Sequence, residues 1–281
     1  MLLCLVLFKA KKFRRNIMQK PYIGITDFMN ASQIKSMCDV FIAHGGLGLQ
    51  YRLMVGVMMS YKTLHEIPSR WNRIFPKKED ISEIFVPHPV LMNTLHYADY
   101  TGTDIASSLE QATLYGNPFM NALQLDMIWP DPEIIREYKE RHPNIEIVLQ
   151  TGRDALEIIQ KDPERFVKKI DTYGDALDFI LLDCSMGEGR GMNASFLARF
   201  VRALTEAKPM IGIAAAGGLG PDSIHLVEPL IREFPRLSID AQGQMRSSGN
   251  TMDPIEWDRA EIYLEKAIAL FRKHKPHPLI W

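Results

Sequence analysis

The chain has 281 residues, 46% of them hydrophobic and 24% charged, with 33 basic residues nearly cancelling 34 acidic ones. A chain of that size and polarity buries a large core, which excludes a disordered, fibrous or disulfide-scaffold protein. The balanced charge, without a long basic stripe in the body of the chain, also excludes bulk attraction to nucleic acid or to a membrane surface.

Cys4, Cys38 and Cys184 are odd in number, far apart and never in a C-x-x-C arrangement, the pattern of a reduced, cytoplasmic protein. At the amino end the apolar stretch Met1 to Phe8 precedes Lys9, Lys11, Lys12, Arg14 and Arg15. A secretory signal puts its charges first, and so short an apolar stretch does not span a bilayer. Residues 1–17 are therefore expected to be an extension, disordered and outside the fold, with Met18 opening the folded domain at 18–281. A surface-lying anchor is the alternative. Without those basic residues the remainder is mildly acidic.

The first strand is predicted at Tyr22 to Thr26. Asn30 with Gln33 three residues on is a capping-box signature for a helix carrying Ile34, Met37, Cys38, Phe41 and Ile42 at helical spacing, stopped by His44-Gly45-Gly46. Strand two is predicted at Leu53 to Met59, and strand three at Val90 to His96 with a helix from Asp104 to Tyr115. Strand four, Ala122 to Asp126, leads to Asp131-Pro132, a good cap and first-turn pair, and to a helix that His142-Pro143 ends. Strand five is Ile145 to Leu149, and strand six is Phe179 to Leu182, with a helix from Asn193 to Glu206. Strand seven is Met210 to Ala215, its helix reaching Phe234 and kinked by Pro229. Strand eight is Leu237 to Asp240, and Asp253-Pro254 is expected to open the last helix.

Eight short apolar strands, each followed by a helix, imply parallel pairing and an α/β fold whose simplest closed form is a single-domain (β/α)8 TIM barrel. A doubly wound open sheet is the alternative, because periodicity does not show closure. The stretch at about 64–89 is long for one connection and reads as an excursion, a lid or an oligomer contact.

A barrel of this kind works at the carboxyl ends of its strands. Those ends carry Thr26 and Asp27, Ser60 and Lys62, His96 and Asp99, Asp126, Gln150, Asp183, Gly217-Gly218, and Asp240 with Gln242. Several are expected to be ordinary cap and loop residues. Gly217-Gly218-Leu219-Gly220 follows a buried strand and precedes Pro221-Asp222-Ser223, where a helix N-terminus and close-approaching backbone can meet a phosphate. A tight turn without ligand is the plain alternative. Lys62, if desolvated, would be a Schiff-base nucleophile; otherwise it is a surface lysine. His96 is a candidate proton carrier or phosphate partner, with a structural role as the alternative.

Several segments together resemble phosphoribosylanthranilate isomerase. Tyr22-Ile23-Gly24-Ile25-Thr26 is similar to that family's K-[IV]-C-G-[IL]-T first strand, and Leu123-Gln124-Leu125-Asp126 to its Q-L-H segment. Leu181-Leu182-Asp183 with Gly187, Gly189 and Gly191 resembles its sixth strand and loop, and Ala216-Gly217-Gly218-Leu219 with Pro221 its S-G-G-L-x-P loop. Asp240-Ala241-Gln242-Gly243 is a weaker echo of D-V-S-S-G. The resemblance implies Asp183 as general acid and Gly217, Gly218, Gln242 and Gly243 as a phosphate cradle. It also places Ile23 where the family has its cysteine base and Asp126 where it has a histidine, so the base is expected from Asp27 or Asp126.

Three functions follow as expectations. The first is an isomerase or lyase acting on a phosphorylated sugar or phosphoribosyl compound through carboxylate acid/base catalysis. The second is a catalytically lapsed barrel that binds a phosphorylated ligand without turnover. The third is a structural or oligomerisation protein. No cofactor and no metal are expected. The expected partner is a phosphorylated small molecule, with a homo-oligomer left open and neither nucleic acid nor membrane expected.

Overall fold

The computed structural model describes residues 18–183 and 191–274. The extension at 1–17, Cys4, Cys184, Gly187 and Gly189 lie outside the described residues. Eight strands, β1 (Tyr22–Thr26), β2 (Arg52–Ser60), β3 (Leu91–Ala98), β4 (Ala122–Asp126), β5 (Glu146–Thr151), β6 (Phe179–Asp183), β7 (Gly212–Ala216) and β8 (Ser238–Ala241), pair in sequential order into a closed parallel barrel. The closing pair sets Ile23 against Ile239 and Gly24 against Asp240. This is the TIM-barrel closure, and it removes the open-sheet alternative.

Helices follow from local capping as much as from apolar periodicity. Helix α1 (Ala31–Ala43) starts with the full Asn30–Gln33 capping box and buries Ile34, Met37, Cys38 and Phe41. After β2 the chain makes α2 (Tyr61–Leu64), two 3-10 turns and α3 (Ile81–Ile84). Phe75, Ile81, Ile84 and Phe85 are buried within this excursion, and Trp71 stacks on Phe75 at 5.4 Å between ring centroids. Helix α4 (Ile105–Gly116) follows β3. Asp131 caps α5 (Pro132–Arg141) by accepting from the Glu133 N–H, with Pro132 in the first turn. Two helices, α6 (Arg153–Ile158) and α7 (Pro163–Asp171), connect β5 to β6, and Asn193 caps α8 (Ala194–Ala207).

Two helix expectations are corrected. The connection after β7 is a 3-10 turn, Ile224–Val227, followed by the short helix α9 (Glu228–Glu233), and Pro229 sits in that helix's first turn, where its missing N–H costs no intrahelical bond. The final helix, α10 (Trp257–Lys273), opens at Glu256 rather than at Asp253-Pro254, because Asp253 is engaged by Arg246 and Ser248.

Alternation along each strand divides the molecule in two. Outward residues such as Ile23, Ile25, Val55 and Leu123 join the helices in one large apolar cluster, while Tyr22, Met54, Met92, Val148, Phe179 and Ala214 form a separate cluster inside the barrel. Tyr22 packs on Phe179 at 5.3 Å, and at the amino ends of β2 and β5 Arg52 holds Glu146 with two bonds of 2.9 and 2.6 Å. The lower interior is thus filled by apolar side chains. Among the described residues no helix is long and apolar enough to cross a membrane.

Gly24 is the point where the inner face of β1 meets β8. A Cβ there would lie 2.7 Å from Asp240 Oδ1 and 2.8 Å from the Met54 methyl. Gly24→Ala is therefore expected to cost about 1–3 kcal/mol through overpacking, read from the urea unfolding midpoint. A variant as stable as the wild type would show that this contact is not close.

Candidate active site

At the carboxyl ends of the strands the barrel opens into a cavity of about 580 Å³. Its floor carries His96, Gln124, Gln150 and Asp183, one wall carries Thr26 and Asp240, and the rim is formed by the Gly217-Gly218 turn and the Gln242–Gln244 segment. These side chains are brought together because β3, β4, β5 and β6 each present an inward polar residue above the apolar filling.

The floor is a connected polar chain. Gln150 Nε2 donates to Asp183 Oδ2 at 3.3 Å, and Gln124 Nε2 donates to Gln150 Oε1 at 2.9 Å. The same Gln124 amide stands 3.2 Å from His96 Nδ1, while His96 Nε2 faces Asp126 Oδ2 at 3.7 Å. Burial opposes a charge on His96, but Asp126, with Asp240 and Asp27 behind it, overcomes that opposition and raises the imidazole above its ordinary 6.5. Across the cavity, Asp240 is buried and accepts from Thr26 Oγ1 at 3.3 Å. Burial pushes its carboxyl from 3.8 up to about 7, against the pull of His96. Asp240 is thus a carboxyl that both gains and loses a proton near neutral pH, a property suited to proton-transfer chemistry.

The structure separates the other candidates. Asp27 follows β1 directly at φ +88° and is buried outside the cavity lining. Its Oδ2 accepts from Arg246 at 2.7 Å and its Oδ1 from Gln242 at 3.0 Å, so it is an anchor with both oxygens engaged. Asp126 also lies outside the lining; its carboxylate takes the Tyr100 hydroxyl and faces His96. Although burial opposes it, these partners hold Asp126 below the ordinary 3.8, which makes it a weak base. Lys62 is exposed on α2, away from the lining, and lacks the desolvation that a Schiff-base lysine needs. Ser60 caps α2 through Thr63, and Asp99 holds the turn at Thr101. Ile23 points outward into the helix layer, so the first-strand position that the resemblance assigned to a base does not face the cavity at all.

The glycine turn has the backbone expected of a cradle without the expected helix. Gly217 and Gly218 have φ of +107° and +69°, conformations that side chains rarely adopt. Ser223 Oγ donates to Gly218 O at 2.6 Å, and the N–H groups of Ser223 and Ile224 both close on Gly220 O at 3.1 and 2.9 Å. The following element is the short 3-10 turn, so no helix dipole is aimed at the rim. Among the described residues no backbone carbonyl accepts from the N–H groups of Gly217, Gly218 or Leu219. A Cβ on Gly220 would lie 2.9 Å from Gln244 O, which shows how tightly this turn is pressed against the segment after β8. Gln242 lines the rim, but its side-chain amide donates to Asp27, and its main-chain carbonyl accepts from Arg246 and from the Met245 N–H.

Three participants were not singled out from the sequence. Gln124 was readable, because it stands two residues before Asp126 on the same strand face. Arg246 and Arg259 were not. Arg259 bonds Asp222 at 2.7 Å and Gln244 O at 3.4 Å and so ties the two rim segments together, yet its distance from them along the chain carries no signal. Among the described residues no group of three or more His, Cys, Asp or Glu is placed to hold a metal ion.

The protonation states make two predictions. Because Asp240 titrates at about 7 in the fold and near 3.8 when unfolded, its contribution to stability is complete below 3.8 and is lost as pH rises to about 7. Urea unfolding at pH 5 and pH 8 should therefore show a larger loss in the wild type than in Asp240→Asn; equal losses would refute the assignment. In nuclear magnetic resonance titrations Asp126→Asn should lower the His96 pKa, and an unchanged value would mean that Asp126 does not support the imidazolium.

No protein-family model matches the chain, and no curated protein matches it in sequence. Among solved structures, active domain 2 of a thermostable chitinase from Pyrococcus furiosus superposes over 94% of this chain and 99% of its own, with a TM-score of 0.51 and 10% identity. The octameric ribulose-1,5-bisphosphate carboxylase/oxygenase of Pyrococcus horikoshii OT3 matches over 92% of this chain and 61% of its own, with a TM-score of 0.49 and 14% identity. The tryptophan synthase alpha chain of Legionella pneumophila subsp. pneumophila matches over 95% of each chain, with a TM-score of 0.47 and 11% identity. At such identities the likeness to the chitinase domain shows the fold alone, and the fold is the TIM barrel.

Proposed function

We propose that the protein is a phosphate-binding barrel enzyme, an isomerase or lyase acting on a phosphorylated sugar or phosphoribosyl compound by acid/base catalysis. The observation that carries this reading is the presence of two unlike sets of groups in the lining of one cavity. At the rim is the positive-φ Gly217-Gly218 turn, with N–H groups that no backbone carbonyl among the described residues accepts, and the same lining carries Asp240, His96 and Asp183. Backbone N–H groups converging on one point recognise an anion without needing a side chain, which is why glycine is required at the rim.

The chemistry asked of the three titratable side chains is proton movement. In the ionised form Asp240 takes the proton from a carbon next to a carbonyl or imine, and Asp183, held through Gln150, gives a proton to the oxygen that leaves as a sugar ring opens. His96 stabilises the negative charge that develops between them. Asp240 replaces Asp27 and Asp126 as the base in this reading because it combines cavity exposure with a carboxyl poised near neutrality. The catalytically lapsed alternative is favoured by Ile23, whose outward direction leaves the family's cysteine base without a counterpart.

Calorimetric titration with inorganic phosphate, ribose 5-phosphate and a triose phosphate is expected to show binding, and Gly218→Val to weaken it by at least about tenfold, the loss of one charge-assisted bond. Absence of binding by all three ligands would refute the cradle. With a turned-over substrate, Asp240→Asn and Asp183→Asn should each lower kcat by roughly 100-fold or more while phosphate affinity stays within a few-fold. Binding without turnover by the wild type would identify the lapsed barrel.

A further inference from the structure

We infer that Arg246, with Asp27 as its counter-ion, is a positioning residue that holds the β8 side of the phosphate cradle in place; the inference rests on the phosphate reading above. Arg246 is 3% exposed and Asp27 7% exposed, so the pair is nearly closed to solvent. Its guanidinium has three separate tasks. Nη2 bonds Asp27 Oδ2 at 2.7 Å, Nη1 bonds Gln242 O at 3.0 Å, and Nε bonds Asp253 O at 2.5 Å. Gln242 completes the circuit by donating its side-chain amide to Asp27 Oδ1 at 3.0 Å.

One planar group thereby joins the end of β1, the residue immediately before Gly243, and the approach to α10. The residue it pulls on, Asp27, holds a left-handed φ of +88°, and its own N–H bonds Gly56 O at 2.9 Å. A backbone strained in this way persists only where its surroundings over-determine it, and such positions collect at ligand clamps. The segment that Arg246 restrains is the one pressed against Gly220 of the opposite rim, so its placement sets the width of the cradle. Breaking a buried pair costs much more than an exposed one, which makes Arg246 a stiff tether.

Lysine at this position separates charge from geometry, because an ammonium keeps the ion pair with Asp27 but lacks the planar fork that reaches two main-chain carbonyls as well. Arg246→Lys is expected to remain folded. Hydrogen exchange of the amides in residues 242–253 should accelerate roughly tenfold or more, with the amides of β4 and β5 unchanged, and the Kd for inorganic phosphate, measured well below the melting transition, should rise by a similar factor. A role in stability alone would lower Tm and leave that Kd at its wild-type value, which would overturn the inference, as would unchanged exchange in 242–253. If Arg246→Lys does not fold, Asp27→Asn keeps one acceptor oxygen and should move exchange and Kd in the same direction. A wild-type protein that binds no phosphate refutes the cradle itself, while the exchange comparison still decides whether Arg246 tethers the segment.

Discussion

Closure of eight short strands forces every second side chain into a barrel interior that holds only a few side chains per layer. The rest of the structure follows from how this chain fills that space. In the lower layers Tyr22, Met54, Met92, Val148 and Phe179 occupy it, with the Arg52–Glu146 pair at the amino ends. In the upper layers His96, Gln124, Gln150, Asp183 and Asp240 take the same inward positions, and polar groups so confined bond to one another in part, while His96 Nε2 and Gln124 Oε1 keep no hydrogen-bond partner. The chain from His96 to Asp183 is the result.

Confinement also decides protonation. Asp240 and Asp126 are both carboxylates at strand ends, but Asp240 is buried with the Ala241 N–H and the Thr26 hydroxyl as donors, while Asp126 receives a tyrosine hydroxyl and faces an imidazole. Burial wins at the first and hydrogen bonding at the second, so the two carboxyls move in opposite directions. Gly24 belongs to the same constraint, because the space its missing side chain leaves is the space the Asp240 carboxyl uses. The rim depends on a different economy, in which Arg246 of the segment after β8 and Arg259 of α10 hold its loops in place.

The strands were legible because each is a short apolar run between turn signals, and β1 and β4 match their expected bounds residue for residue. The Asn30 and Asp131 caps were legible too, since capping is a bond between near neighbours. The connection after β7 was not, because its apolar residues are consistent with one helix until the Ser223 and Ile224 N–H groups are seen to close on Gly220. For the site, strand-end position pointed to Asp183, Asp240, His96 and Gln150. It gave no means of telling them from Asp27, Asp126 and Lys62, which occupy equivalent places along the chain.

The sequence by itself therefore determined the alternation of eight strands with helical connections, the polar character of the strand ends and the glycine turn, all of which depend on residues within a few positions of one another. Only the tertiary structure decided that the sheet closes, that Ile23 faces out and Asp240 in, and that Asp27 is bound to Arg246 across 219 positions of chain. The physical reason is that burial, ion pairing and the pKa of a carboxyl are set by neighbours in space, and in a closed barrel those neighbours come from strands remote in sequence.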